Sequence, residues 1–489
     1  MTGIIDYGLA TNNTDGLSDY RIHPTEPVNF VRSNARPVNP PAVGGNVRVA
    51  SFNVLNYFST IDQSGASCFP SGTRSDCRGA DSAAELTRQR DKIIPAINGL
   101  GADVVGLIEI ENNGNGATQD LVNRLNAAAG AGTWAAAALP PTGSGSDAIR
   151  QAIIYKPARV ALVGGSVADS NPVHNRPPIA QSFALPNGER FAVIVNHFKS
   201  KNCDPAPSGG NVDAGDGQGC YNASRVQQAQ ALMQFIGQIQ ATTGDVAVVG
   251  DLNAYGKEDP ILALTNAGLV DQIARFNEFG HSYVFDGESG YLDHALTTAS
   301  LSTKVTGAAL WAINADEPSI IDYNLEFKQP ACATCGPDYY SPTVYRSSDH
   351  DPVVLGLSLM KAINGGGNRD TLVGTAGDDR LTGGAGADTL TGGAGSDEFV
   401  YASLRDGIDT VTDFAPGTDR LDLSALLSSL NADPSTAIAQ GVVRLVDTPA
   451  GLSVQIDSDG SAGSGTARPL VVLQGVTAAQ LQPARDAGL

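Results

Sequence analysis

The sequence predicts an α/β domain of layered sheets followed by an all-β coil of short parallel strands. Three observations carry that expectation. Between residues 41 and 360, apolar strand-like runs alternate with stretches of helical periodicity. From residue 361 the composition shifts to glycine and aspartate, and the pattern repeats every nine residues. The 489 residues are 42% apolar and 17% charged, a balance that supports a buried core rather than disorder. The expected division is 1–40, the remnant of an upstream module and its linker; 41–360, the α/β domain; and 361–489, the coil and a closing segment.

The elements follow in chain order. The opening MTGIIDYGLATNN has no basic stretch ahead of an apolar core, so no ordinary signal peptide is expected, and it reads like the end of an earlier domain. Val47–Asn56 (VRVASFNVLN) alternates like a strand, and Asp103–Ile110 (DVVGLIEI) is a nearly continuous apolar one. Ala84–Leu100 carries Leu86, Ile93, Ile94 and Ile97 at helical spacing. Further strands are expected in Ala148–Val160, Phe191–Phe198, Val246–Gly250 and Asp351–Ser358, with a helix over Ser224–Ile239. Mixed and fully apolar strands interleaved with helices imply two packed sheets. No apolar run reaches the roughly 18 residues of a membrane span.

Net charge is −20, of which −1 falls in 1–40, −11 in 41–360 and −8 in 361–489. That excludes a basic nucleic-acid-coating protein, but not an enzyme that meets phosphates with the help of cations. The six cysteines fall into short-range pairs, Cys68/Cys77, Cys203/Cys220 and Cys332/Cys335. Local disulfides in Gly/Ser/Asp-rich loops are the simplest reading and imply an oxidising compartment. A redox or zinc role for Cys332-Ala-Thr-Cys335 is the alternative, although no second metal-spaced pair follows.

In the repeats, Asp370, Asp379, Asp388 and Asp397 stand nine apart, as do Leu372, Leu381, Leu390 and Phe399. Glycines permit the tight turns, apolar residues fill an interior, and the aspartates supply the oxygens a hard cation such as Ca²⁺ requires. A flexible linker has no reason to hold Asp and Leu in phase. These residues resemble the repeat-in-toxin family, with Asp409–Leu423 and VVLQGVTAAQLQ resembling the segment after its repeats. The resemblance implies a calcium-binding parallel β-roll, export by a type I secretion apparatus through an uncleaved C-terminal signal, and an extracellular location.

Five constellations in 41–360 place polar residues at the ends of apolar strands, where open sheets present their sites. They are Ser51-Phe-Asn53, Leu107-Ile-Glu109-Ile-Glu111-Asn112, Asn196-His197-Phe-Lys199, Gly250-Asp251-Leu-Asn253, and Tyr291-Leu-Asp293-His294 with Ser347-Ser-Asp349-His350-Asp351-Pro352. Singly, each reads as a turn, a cap or a structural histidine. Together they contain what metal-assisted phosphodiester hydrolysis needs: carboxylates for a divalent cation, a base for water and an acid for the leaving oxygen. No Gly-x-Ser-x-Gly elbow, His-Glu-x-x-His pair or phosphate-cradling Gly-x-x-x-x-Gly-Lys loop competes.

In this order, SFNVLNYF, GLIEIEN, VNHFKSK, GDLNAY, YLDHAL and SSDHDPVV resemble the endonuclease/exonuclease/phosphatase superfamily, most closely its secreted bacterial nucleases. His23–Phe30 (HPTEPVNF) resembles the segment that joins an upstream module to the catalytic domain in those nucleases. The resemblance implies a four-layered α/β sandwich, deoxyribonuclease-like, with the site at one end of the sheets. It implies Mg²⁺ or Mn²⁺ held by Glu109 with Asn53 and Asp349, and Glu111 assisting from the same face. His350, oriented by Asp293, is expected as general base or phosphate contact. Asp251 aligns or deprotonates water, Asn253 binds the scissile phosphate, and His197 acts as acid or phosphate contact. Arg225 and Lys199 are secondary phosphate contacts, and the role of His294 is open. Leu55 stands where abasic-site endonucleases carry an aspartate, which argues against that specificity. The expected activity is a secreted nuclease acting on nucleic acid, DNA first and RNA second. The alternatives are a phosphodiesterase or phosphomonoesterase for lipid head groups or small esters, and a calcium-stabilised surface protein with an inactive domain.

Overall fold

The computed structural model describes residues 2–9, 18–28, 35–277, 279–285, 287–325, 338–460, 463 and 465–489. The Cys332/Cys335 pair and part of the 23–30 segment lie outside them. The chain divides into two compact units, residues 1–183 with 190–358, and 184–189 with 359–489.

The first unit is built on two six-stranded sheets. One runs Val270–Asp271, Asp293–Thr297, Val246–Asp251, Arg190–His197, Ile179–Ala184, Ala161–Ala168. The other runs Val305–Leu310, Val353–Leu357, Val47–Tyr57, Val104–Glu111, Ile149–Tyr155, Ala135–Ala136. The sheets face each other closely enough that a side chain on Gly106 would strike Val195 and Val249. This is why a glycine stands inside this largely apolar strand.

The outer faces are covered by helices, giving the four-layered sandwich. Ile93, Ala96 and Ile97 of helix Ala83–Gly99 and Leu121 and Leu125 of helix Gly116–Ala129 pack on Phe52, Val54, Val105 and Leu107. Leu232, Phe235 and Ile236 of helix Asn222–Thr243 pack on Ile194, Val246 and Val248. Ser82 starts the first helix, its hydroxyl accepting the Glu85 N–H at 3.2 Å, a cap typical of serine. Disulfides Cys68–Cys77 and Cys203–Cys220 close two loops as the spacing predicts.

The second unit is the expected parallel roll. Ile363, Leu381, Phe399 and Leu421 stack in one sheet, and Leu372, Leu390 and Val411 in the other. Two nonapeptides make one coil, so partners in the regular part lie eighteen residues apart. Later coils are longer, pairing Leu390 with Val411 and Phe399 with Leu421. Leu381, Leu390, Phe399 and Val411 are fully buried in its core. Among the described residues no helix is long and apolar enough to cross a membrane.

Candidate active site and calcium roll

The strand ends do not carry their side chains in simple alternation. Leu55, Asn56 and Glu109 have left-handed backbones, φ 50°, 49° and 67°. The register of Val47–Tyr57 against Val104–Glu111 slips between Asn53 and Tyr57, and that of Val104–Glu111 against Ile149–Tyr155 slips between Leu107 and Ile110. Two bulges thus lie side by side, and bulges re-aim side chains. Glu109 turns towards Asn56, whose N–H donates to its Oε2 at 3.1 Å. Glu111, two residues on, does not share that face. Its Oε2 accepts from Ser59 N (2.8 Å), Ser59 Oγ (3.0 Å), Thr60 N (3.1 Å) and Asn113 Nδ2 (2.8 Å). The expectation that Glu111 assists the metal is corrected: it clasps the loop after the strand.

The nominated residues from both sheets and the 347–351 loop meet at one end of the sandwich. Asp293 accepts two short bonds at Oδ2, 2.7 Å from His350 Nδ1 and 2.7 Å from Ser282 Oγ. His350 Nε2 lies 3.8 Å from Asp251 Oδ2, and His197 Nε2 3.5 Å from the same oxygen. Asp251 Oδ1 accepts the Asn253 N–H at 2.8 Å, and Asn253 Nδ2 donates to the Phe198 carbonyl at 3.2 Å. His197 Nδ1 is buried without a partner.

The electrostatics follow from burial and from four carboxylates. Burial, then the facing Asp349 charge, raises the Glu109 carboxyl. Burial pushes Asp251 up to about 7, against His350 and with Asp293. Burial alone lowers the His350 imidazole, but Asp293, Asp349 and Asp251 together hold it well above its ordinary range. Burial, then Arg176 and His350, drives His197 well below it. The two histidines are therefore pushed in opposite directions, His350 towards its charged form and His197 towards its neutral one.

The basic residues divide differently from expectation. Arg225 is fully buried, and its guanidinium donates to the carbonyls of Cys220 (2.7 Å) and Gln218 (2.6 Å). That corrects its reading as a phosphate contact: it braces the disulfide loop. Lys199 is half-buried, with its ammonium 4.3 Å from the Tyr221 ring centroid. Sequence reasoning missed Arg176, in a loop with no periodic signal. It is buried, donates to the Phe198 carbonyl, lies 3.8 Å from Asp147, and joins His350 as a cation acting on Glu109, Asp251 and His197. Arg78, half-exposed, lies 3.4 Å from the same Asp147.

Further residues, of which Asn314 and Tyr283 were missed in the sequence, hold the site in place. Asp351 accepts the N–H groups of Ile313 (2.8 Å) and Asn314 (2.6 Å). Asn314 returns a bond to the His350 carbonyl at 2.7 Å and accepts from Ser347 N at 2.7 Å. The Tyr283 ring stacks on His350 with centroids 4.6 Å apart. His294, fully buried, contacts the Ala254 carbonyl through Nε2 at 2.8 Å and Asp271 through Nδ1 at 3.4 Å, which anchors the turn carrying Asn253.

The donor set suits a small hard cation. Glu109 and Asp349 are two facing carboxylates, and Mg²⁺ is held by one or two carboxylates with waters and substrate phosphate completing its shell. Asn53 accepts Leu55 N at Oδ1 (3.1 Å) and turns its buried Nδ2 towards the Glu109 carboxylate. In this orientation the amide offers a donor to an oxygen next to the ion.

In the roll, each aspartate accepts from the backbone of the one a coil earlier: Asp370 N to Asp388 Oδ1 (2.8 Å) and Asp379 N to Asp397 Oδ1 (3.0 Å). Glycine is required where coils touch; a side chain on Gly393, φ 101°, would strike the Thr375 carbonyl. Asp379 Oδ1 and Asp388 Oδ2 are buried without a donor, a costly state unless a cation lies there. Among the described residues no three His, Cys, Asp or Glu side chains gather as a metal group.

The profile of the Endonuclease/Exonuclease/phosphatase family matches residues 50–350, and that of the RTX calcium-binding nonapeptide repeat (4 copies) matches 364–399. No curated protein matches the chain. Among solved structures, the chain is similar to a mannosyl-6-phosphatase of Bacteroides thetaiotaomicron, at 15% identity over 64% of this chain and 99% of that one, TM-score 0.39. It is similar to the human Nocturnin catalytic domain, at 17% identity over 63% and 93%, TM-score 0.38. A Bacteroides vulgatus endonuclease/exonuclease/phosphatase gives 14% identity over 64% and 99%, TM-score 0.37.

Proposed function

The chain belongs to the endonuclease/exonuclease/phosphatase family and carries RTX calcium-binding repeats, and from that premise we propose that it is a secreted, metal-dependent nuclease that hydrolyses phosphodiester bonds of extracellular DNA, and secondarily RNA. The observation that carries the reading is the Asp293–His350–Asp251 arrangement beside the Glu109–Asp349 carboxylate pair.

Mg²⁺ or Mn²⁺ at Glu109 and Asp349, with Asn53 alongside, would supply Lewis-acid stabilisation of the charge that builds on the phosphoryl oxygens. Asp251, raised to about 7, orients the attacking water and takes its proton. His350, held charged by Asp293, contacts a phosphoryl oxygen through Nε2. His197 stays neutral and offers a second contact beside Asp251. Arg176 adds a fixed positive charge behind them. The repeats and the two disulfides support export by a type I apparatus into a calcium-rich, oxidising medium.

The test is hydrolysis of supercoiled plasmid, single-stranded RNA and a lipid or sugar phosphoester by the whole protein, with Mg²⁺, Mn²⁺ and EDTA. Metal-dependent nicking of the plasmid supports the proposal. Intact nucleic acid with a cleaved ester overturns the substrate and keeps the chemistry. Inertness on all three overturns the enzyme.

A further inference from the structure

Arg78 stands one residue past the Cys68–Cys77 disulfide, at the end of the loop it closes. Two features fix that point of the chain. Cys77 is buried with Phe58, Ala148 and Ile149 in a small apolar cluster, and a side chain on Gly79 would strike Phe58. Ala148 and Ile149 directly follow Asp147. Arg78 and Asp147 are therefore held from one core, 3.4 Å apart, while 46% of the Arg78 side chain stays exposed.

Stability does not account for this pairing. An ion pair open to water contributes little, and the carboxylate is shared. Asp147 Oδ1 faces Arg78, and its Oδ2 faces Arg176 Nη1 at 3.8 Å. Arg176 is turned inward, buried and bonded to the Phe198 carbonyl. Lys199, a third cation, is opposed by Arg176 and met by Asp147, and its ammonium lies over the Tyr221 ring. Three cations thus surround one carboxylate, an excess of positive charge in a region, 41–360, whose net charge is −11. Arg78 is the most exposed of the three. Its charge and that of Arg176 both act on His197.

We propose that Arg78, steadied by Asp147, binds the substrate phosphate next to the one being cleaved, and so selects a polynucleotide backbone over an ester with a single phosphate. The proposal rests on the nuclease reading and deepens it. His197, Asp251 and Arg176 gather around the reacting phosphate, and Arg78 stands one carboxylate further out, where a second anionic group of the same substrate meets it. A simple lipid or sugar phosphoester has one phosphate and leaves this place empty, whereas nucleic acid carries a charge at every linkage. Arginine suits the role because its planar fork holds two phosphate oxygens at once. Fixing the loop beforehand lowers the entropy lost on binding.

The experiment uses the whole protein with Mg²⁺ and a set of DNA oligonucleotides, each with one linkage replaced by an uncharged methylphosphonate. Initial cleavage rates at each position are read on sequencing gels, with circular dichroism as the folding check. In wild type, neutralising one linkage beside the cut should slow cleavage about tenfold. Arg78→Gln should lose a similar factor on unmodified DNA, through KM, and lose nothing more when that linkage is neutralised. Arg78→Lys keeps the charge and should restore the interference, which separates the contact from any disturbance of the loop. Arg74→Gln removes a charge from the same loop, where Arg74 pairs with Asp62, and should keep the wild-type pattern. Full interference in Arg78→Gln, the same loss in Arg74→Gln, or no interference in wild type overturns the subsite. Wild type that leaves every oligonucleotide uncut overturns the nuclease reading itself, a distinguishable result.

Discussion

Replacing Asp293 with asparagine keeps the shape of the site and removes one charge. In the native arrangement Asp293 Oδ2 takes both the His350 Nδ1 and Ser282 Oγ bonds at 2.7 Å. An amide can accept one of these with its oxygen but turns a donor towards the other. A charge-assisted hydrogen bond contributes about 1.5–3 kcal/mol net, which at about 1.36 kcal/mol per decade is roughly 10–150-fold in rate. The nearest of the three carboxylates that hold His350 protonated is also lost. The expected outcome is therefore a fall in kcat of about 100-fold or more with KM little changed. The alkaline limb of the rate profile should move to lower pH, because His350 then loses its proton more readily. Initial plasmid-nicking rates at saturating Mg²⁺ across pH 5–9, with near-ultraviolet circular dichroism as the folding check, measure this. A folded variant within threefold of wild type and an unmoved alkaline limb would refute the claim that Asp293 acts through His350.

Three further outcomes follow from the same geometry. Asp251, raised to about 7, is active when ionised, so kcat/KM should rise as pH increases through that region, and higher Mg²⁺ should shift the limb downward by favouring the anion; a flat profile between pH 5 and 8 contradicts its role as base. Arg176→Gln should lower kcat/KM about tenfold or more and flatten the salt dependence, since a buried cation beside the phosphate is lost; an unchanged salt slope contradicts it. Glu111→Gln should cost about 1.5–3 kcal/mol of stability, seen as a lower Tm, through the bonds to Ser59 and Thr60, while the Mg²⁺ requirement stays as in wild type.

Much of this molecule could be read from its residues because the strands are nearly unbroken apolar runs ending in polar residues. Asn53, Glu109, His197, Asp251 and Asp293 each stand at or near such an end, and two packed sheets bring those ends together. What stayed hidden is where the backbone breaks its own period. Glu109 and Glu111 look equivalent in an alternating strand, and only a left-handed residue separates them. The same holds in the roll, where a lengthened coil brings Asp409, twenty-one residues on, to the Asp388 N–H, and Asp406, eighteen residues on, closes a local turn. Arg176 and Asn314 sit in loops, where spacing carries no information, and Arg225 looked like a phosphate contact because a helix does not announce which carbonyls surround it. Tyr283 lies in a three-residue strand too short to show periodicity.

The left-handed backbone of Glu109 has a consequence for how this protein can change over time. A non-glycine residue in that region costs roughly 1–2 kcal/mol, and its carboxyl is further penalised by burial facing Asp349. The unit thus keeps at its centre a residue that the fold alone would discard. Glu109→Gly removes both penalties, against which stand about 0.4–1 kcal/mol of chain entropy in the unfolded state and about 0.5–1.5 kcal/mol for the lost Asn56 N–H bond, so in EDTA it should melt no earlier than wild type while turnover ends. Selection for thermal resilience and selection for turnover therefore pull on this position in opposite directions. Glycine or asparagine at residue 109 is the mark to look for in any descendant that has kept the fold and abandoned the chemistry.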